Sequence, residues 1–85
     1  MDVYVVRYVW SNSTTMECAD YIELFATLEK ARQRFAFIVE DEKRYAEEEG
    51  YVVEDDIPDS FVAYLPGYSA TDYATVCITK ERVIE

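Results

Sequence analysis

Histidine is absent from this 85-residue chain, glycine, proline and cysteine occur twice each, and eight Lys and Arg face eighteen Asp and Glu. Without His there is no side chain to shuttle protons near neutrality, and the commonest transition-metal ligand is missing. So little Gly and Pro leaves few turn signals, which predicts long elements and few loops. Cys18 and Cys77 are distant and form no CxxC pattern, so free thiols in a reducing compartment are expected rather than a disulfide. The shortage of cations gives a net charge of −10. Every phosphate would meet repulsion, which excludes direct binding of nucleic acid or an anionic membrane and favours a basic partner. The opening MDVYVVRYVW has no basic segment, and its apolar run is too short for a signal peptide or a membrane span. A cytoplasmic protein is expected.

What is present is enough apolar material for one domain, residues 1–85. The apolar fraction is 51% and the aromatic fraction 15%, which argues against intrinsic disorder despite the charge. Val3–Trp10 is rich in Val, Tyr and Trp and predicts a strand. Its even positions Tyr4, Val6, Tyr8 and Trp10 are unbroken, whereas Arg7 interrupts the odd set Val3, Val5 and Val9. Ser11–Thr15 is a polar turn cluster, and Met16–Phe25 returns as a second strand. Thr27 suits an N-cap, and Leu28, Ala31, Phe35, Ile38, Glu42 and Tyr45 follow at helical spacing, with Gly50 as the stop. A helix of about 22 residues results, roughly 33 Å long. Tyr51–Val53 reads as a short strand, Glu54–Ser60 as an acidic loop, and Phe61–Leu65 and Tyr73–Thr79 as strands, with Lys80–Glu85 extending the last. The expected fold is α+β, a two-layer β-β-α-β-β sandwich with one long helix on one face of an antiparallel sheet. One helix covers one face, so the second apolar face of strand one calls for loops or another chain.

Leu24–Phe35, LFATLEKARQRF, joins a strand ending in Phe to a Thr cap and Glu-Lys-Ala. Together with VYVVRY at Val3–Tyr8 it resembles small acidic α+β proteins of phages and prophages, among them anti-restriction and anti-CRISPR inhibitors. The resemblance covers about half the chain and implies a mobile-element origin, with residence in the host cytoplasm. It carries over no catalytic residue.

Glu40–Asp59 holds ten of the eighteen acids against only Lys43 and Arg44. On the helix the acids crowd the C-terminal half, the reverse of what the macrodipole favours, at about 0.3–1 kcal/mol per misplaced charge. Pairs such as Glu40 with Arg44 recover a few tenths of a kcal/mol, roughly. Carboxylates three or four residues apart on a helix lie about 5–6 Å from one another, near the roughly 6–7 Å between phosphates implied by strand rise and winding. Such an array at one end of the molecule suits a basic, nucleic-acid-binding groove on another protein. The expected partner-binding residues are Glu40, Asp41, Glu47, Glu48, Glu49, Glu54, Asp55 and Asp56, with Tyr68 from the turn LPGYSATDY. The plain alternative is a solvated helix end and an acidic loop.

Other chemistries find less support. Glu54–Asp59 offers oxygen ligands but lacks the spacing and Gly of a calcium loop, so no metal or cofactor is expected. Ser11, Ser13, Ser60 and Ser69 have no evident base partner, Cys77 reads as an inert core thiol, and no phosphate loop is present; an enzyme is not expected. Strand-borne Tyr8, Trp10, Tyr51, Tyr64 and Tyr73 read mainly as packing residues. The rival functional reading is a homo-oligomeric accessory protein, a homodimer for example, assembled through its apolar sheet face, with Val5→Asp or Tyr8→Asp disrupting it.

Overall fold

The computed structural model describes residues 1–84. Its elements are β1 (Asp2–Asn12), β2 (Glu17–Phe25), α1 (Leu28–Glu49), β3 (Val52–Ile57), β4 (Ser60–Tyr64) and β5 (Tyr73–Arg82). The strands form one antiparallel sheet in the order β2-β1-β5-β4-β3. The α+β architecture is therefore the expected one, a single sheet with one long helix across it. The last strand to be made lies in the centre, between β1 and β4, so the β1–β2 and β3–β4 hairpins join into one sheet only through the C-terminal segment. The body is elongated, with Cα extents of 44 × 20 × 16 Å, because a 22-residue helix lies on strands of up to 11 residues.

The helix begins and ends where its capping chemistry dictates. Thr27 is extended, and its Oγ1 accepts the Lys30 N–H at 3.3 Å. Gly50 takes a left-handed φ of 75°, and its N–H closes onto the Ala46 carbonyl. Ala31, Phe35, Ile38, Val39 and Ala46 are buried, with Leu28 packed beside them. They meet Val6 of β1, Phe61 and Ala63 of β4, and Val76 and Ile78 of β5. Register explains this set: Val6 pairs with Ile78, and Val76 with both Tyr8 and Phe61, so these side chains share one face.

The opposite face is open. Val3, Val5, Val9, Val62, Thr75 and Cys77 are only half-buried, while Ile22 and Leu24 are 61% and 65% exposed. Arg7 interrupts the odd positions of β1 because it stands on this face, with Nη2 and Nε at 2.8 and 3.2 Å from the two Asp20 carboxylate oxygens. This charge-assisted pair raises the Arg7 pKa and lowers that of Asp20. Cys77 pairs with Arg7 in register on the same face, so it is not the core thiol expected from its strand. Cys18 is exposed, and both thiols are free.

Two boundaries depart from expectation. The acidic segment expected as a loop is strand β3, paired with β4 from Val52–Tyr64 to Ile57–Ser60. The register shifts between Val53 and Asp55, which puts Glu54 at an irregularity in the ladder. An edge strand tolerates such charge because solvent reaches its side chains, and Pro58 falls in the following turn, where no ladder N–H is needed. β5 runs on to Arg82, which pairs with Asp2, and the Val83 N–H donates to the Met1 carbonyl at 2.8 Å. Glu85 of the expected extension lies outside the described residues. No helix among the described residues is long and apolar enough to cross a membrane.

Candidate functional site

The eight carboxylates expected to bind a partner are all exposed. They do not share one end, because β3 turns back alongside α1. Lys43 Nζ lies 2.8 Å from Asp56 Oδ2, and Arg32 Nη2 lies 3.7 Å from Asp59 Oδ1. The acids therefore spread over the C-terminal half of the helix and along its neighbouring edge strand. Seven residues are close to two helical turns, so Glu40 lies above Glu47 and Asp41 above Glu48, about 10.5 Å apart in each case. Glu40 faces the β3 side, in a shallow groove with Lys43, Asp56 and Ile57. Asp41 faces the β2 side, in a hollow with Glu23, Arg34 and Phe37. Between the two rows stands Arg44, whose Nη1 is 3.5 Å from Asp41 Oδ1 rather than paired with Glu40. No basic residue occupies the last turn of the helix, so Glu47, Glu48 and Glu49 face its negative end uncompensated.

Tyr68 is 61% exposed in the loop between β4 and β5. That loop is folded on itself: the Tyr68 N–H reaches the Leu65 carbonyl at 2.9 Å, and its carbonyl accepts from the backbone N–H groups of Thr71 and Asp72. Val52 pairs with Tyr64, so the loop leaves the sheet beside the C-terminus of α1. Tyr68 therefore lies at the end that carries Glu47–Glu49, whereas Glu54–Asp56 lead away from it.

A second assembly was not anticipated from the sequence. Between α1 and the ends of β1 and β5 is a cleft of about 370 Å³, lined by Tyr8, Trp10, Tyr45 and Tyr51 with Asn12, Glu17 and Glu42. Tyr8 turns toward the helix, and its hydroxyl donates to the Glu42 carboxylate. Tyr8 is thus a residue of the covered face, and Val5 alone of the expected assembly pair stands on the open one. The Asn12 amide donates to the Tyr45 hydroxyl at 2.8 Å, and the Tyr45 and Tyr51 rings meet edge to face with centroids 5.4 Å apart. Glu42 occupies the apolar stripe of the helix and is half-buried, and desolvation raises its pKa. Tyr51 is pushed up to about 12, by desolvation first and then by Tyr45 and the charges of Asp72 and Glu42. The cleft is therefore electronegative.

Asp72 is the one buried charged residue among those described, at 2% exposure. It accepts the Ser13 N–H at 2.9 Å, the Ser13 hydroxyl at 2.7 Å and the Thr71 hydroxyl at 2.9 Å. Ser13, for which no base partner was evident, donates here to a carboxylate. These bonds hold the Asp72 carboxyl below its usual pKa, led by the Ser13 hydroxyl. A carboxylate made less basic in this way is a poor base, and its role is to tie the β1–β2 turn to the β4–β5 loop. No signal in the sequence links Ser13 to Asp72. Glu42 did leave one, as the single acid in an apolar helical stripe.

No protein-family model, curated protein or solved structure matches the chain.

Proposed function

We propose that this chain is a non-enzymatic interaction protein whose acidic helix ridge occupies a basic, nucleic-acid-binding surface on another protein. The observation that carries the reading is the exposed double row Glu40–Glu47 and Asp41–Glu48, continued across Lys43 by Asp56 on β3, while Asp55, paired with Val62, stands on the other face of the sheet. The carboxylates within each row repeat at about 10.5 Å, wider than adjacent phosphates of a strand, so what supports the reading is the sign and density of the charge rather than a matched spacing. Burial of this charge against Lys and Arg would release counterions from both surfaces and accelerate encounter. The sequence resemblance to phage-type inhibitors supports looking for such a partner among host nucleic-acid-binding proteins, defence proteins included.

Affinity capture from a bacterial lysate with salt-gradient elution tests it. A nucleic-acid-binding protein should be released steeply by salt and displaced by added DNA or RNA. Glu40→Lys, Glu47→Lys and Glu48→Lys combined should abolish its capture; undiminished capture by this variant refutes the ridge as the interface.

A second reading rests on the open sheet face, where Ile22 and Leu24 stand exposed beside Val5. In that case the chain assembles with itself, and acidity serves solubility. Val5→Asp would then dissociate the assembly in sedimentation, while the ridge reversals would leave it intact. A wild-type chain that sediments as a monomer eliminates this reading.

A further inference from the structure

We propose that the cleft bounded by Tyr8, Trp10, Tyr45, Tyr51 and Glu42 is a receptor site for an alkylammonium cation. The first ground is charge. Two carboxylates, Glu17 and Glu42, line the cleft, and no Lys or Arg is among the described residues that line it. Elsewhere on α1 four of the five cations are engaged, Arg32 with Asp59, Arg34 with Glu23, Lys43 with Asp56, and Arg44 with Asp41, and Lys30 lies in the first turn, far from the cleft. Those pairs consume exposed acids that solvent would have stabilised anyway. Glu42, the half-buried one, is left with the Tyr8 hydroxyl and, among the described residues, no ion pair. A carboxylate withdrawn from water without a cation is the group that gains most from acquiring one.

The second ground is the wall. Aromatic rings attract a cation through the negative potential of their faces, and an ammonium within about 6 Å of a ring centroid feels it. At about 370 Å³ the cleft has room for an ammonium resting against its wall, where van der Waals contact with a ring face brings the cation within that range. Nothing in core packing requires four tyrosines (Tyr73 of β5 is the fourth), a tryptophan and two acids around an open space. The site is independent of the ridge, since none of the ridge carboxylates lines it.

Trp10 is the only tryptophan of the chain and lines the cleft, so its fluorescence reports occupancy directly. The wild-type protein is titrated with choline at constant ionic strength, alongside 3,3-dimethylbutan-1-ol as the uncharged isostere. Saturable change with choline and at least about tenfold weaker response to the alcohol are expected. Glu42→Gln should weaken choline binding about tenfold. Its amide oxygen still accepts the Tyr8 hydrogen bond, so the fold is retained, as circular dichroism would verify. Tyr45→Leu, at a partly exposed position, should weaken it independently. N-acetyl-lysine methylamide distinguishes the source of the ammonium: tighter binding than choline assigns the cleft to a lysine of a partner protein, weaker binding to a free amine. Failure of both ligands to give a saturable change, equal binding of the uncharged alcohol, or unaltered affinity in the folded Glu42→Gln variant overturns the proposal.

Discussion

Phe61 and Val62 are neighbours on β4 that point to opposite faces of the sheet, and truncating each to Ala measures how differently those faces are covered. Phe61 is 0% exposed beneath α1 and Val62 is half-buried on the open face. Phe61→Ala leaves a cavity against Val76 and the helix, at about 3–5 kcal/mol. Val62→Ala removes two carbons that are only partly out of water, about 0.8 kcal/mol at half of roughly 0.8 kcal/mol per carbon. A domain of this size has about 4–13 kcal/mol of total stability, so the first change consumes a large share of it and the second very little. At about 4–8 °C per kcal/mol, the melting temperature should fall by about 12 °C or more for Phe61→Ala and by about 3–6 °C for Val62→Ala. Urea unfolding followed by far-ultraviolet circular dichroism, at two protein concentrations tenfold apart, checks both. Equal losses, or a Val62→Ala cost that grows with protein concentration, would refute the open face and show it covered by a second chain.

Two further outcomes follow from backbone and burial. Gly50→Ala meets no atom within 4 Å, so its cost is that of a left-handed φ alone, about 1 kcal/mol, read as a fall in melting temperature at unchanged helix content. Asp72 has a lowered pKa in the folded chain, so its contribution is present above the ordinary carboxylate value and is lost as pH falls through the lowered one. Asp72→Asn should therefore be less stable than wild type at neutral pH, with the gap narrowing in melts taken at progressively lower pH; a gap constant with pH would refute the ionised network.

Elements whose shape is decided by local chemistry were legible from the chain. The helix is bounded by a Thr that caps it and a Gly that can turn left, and its stripe from Leu28 to Ala46 has the period of a helix with one wet side. The alternation of Ala74, Val76 and Ile78 with Tyr73, Thr75 and Cys77 likewise assigned β5 its two faces. Which face lay inside was not legible for Cys77, because both sets are apolar enough to be buried and only register with Arg7 places the thiol on the open side. The segment Glu54–Asp56 read as loop because its acids mask a backbone that pairs with β4, a preference settled by the partner strand rather than by side chains.

Local chemistry written into the chain set the cap-to-cap length of the helix, the concentration of like charge and the exclusion of chemistry that needs His. What that charge is near came from the packing of the elements. Antiparallel return of β3 drew Asp56 to Lys43 and left the ridge as two rows, since side-chain proximity across elements depends on topology and not on spacing in the chain. The same holds for the cleft. Tyr8 and Trp10 are far in sequence from Glu42, Tyr45 and Tyr51, and a strand crossing beneath a helix is what brings four rings and a half-buried carboxylate to one place.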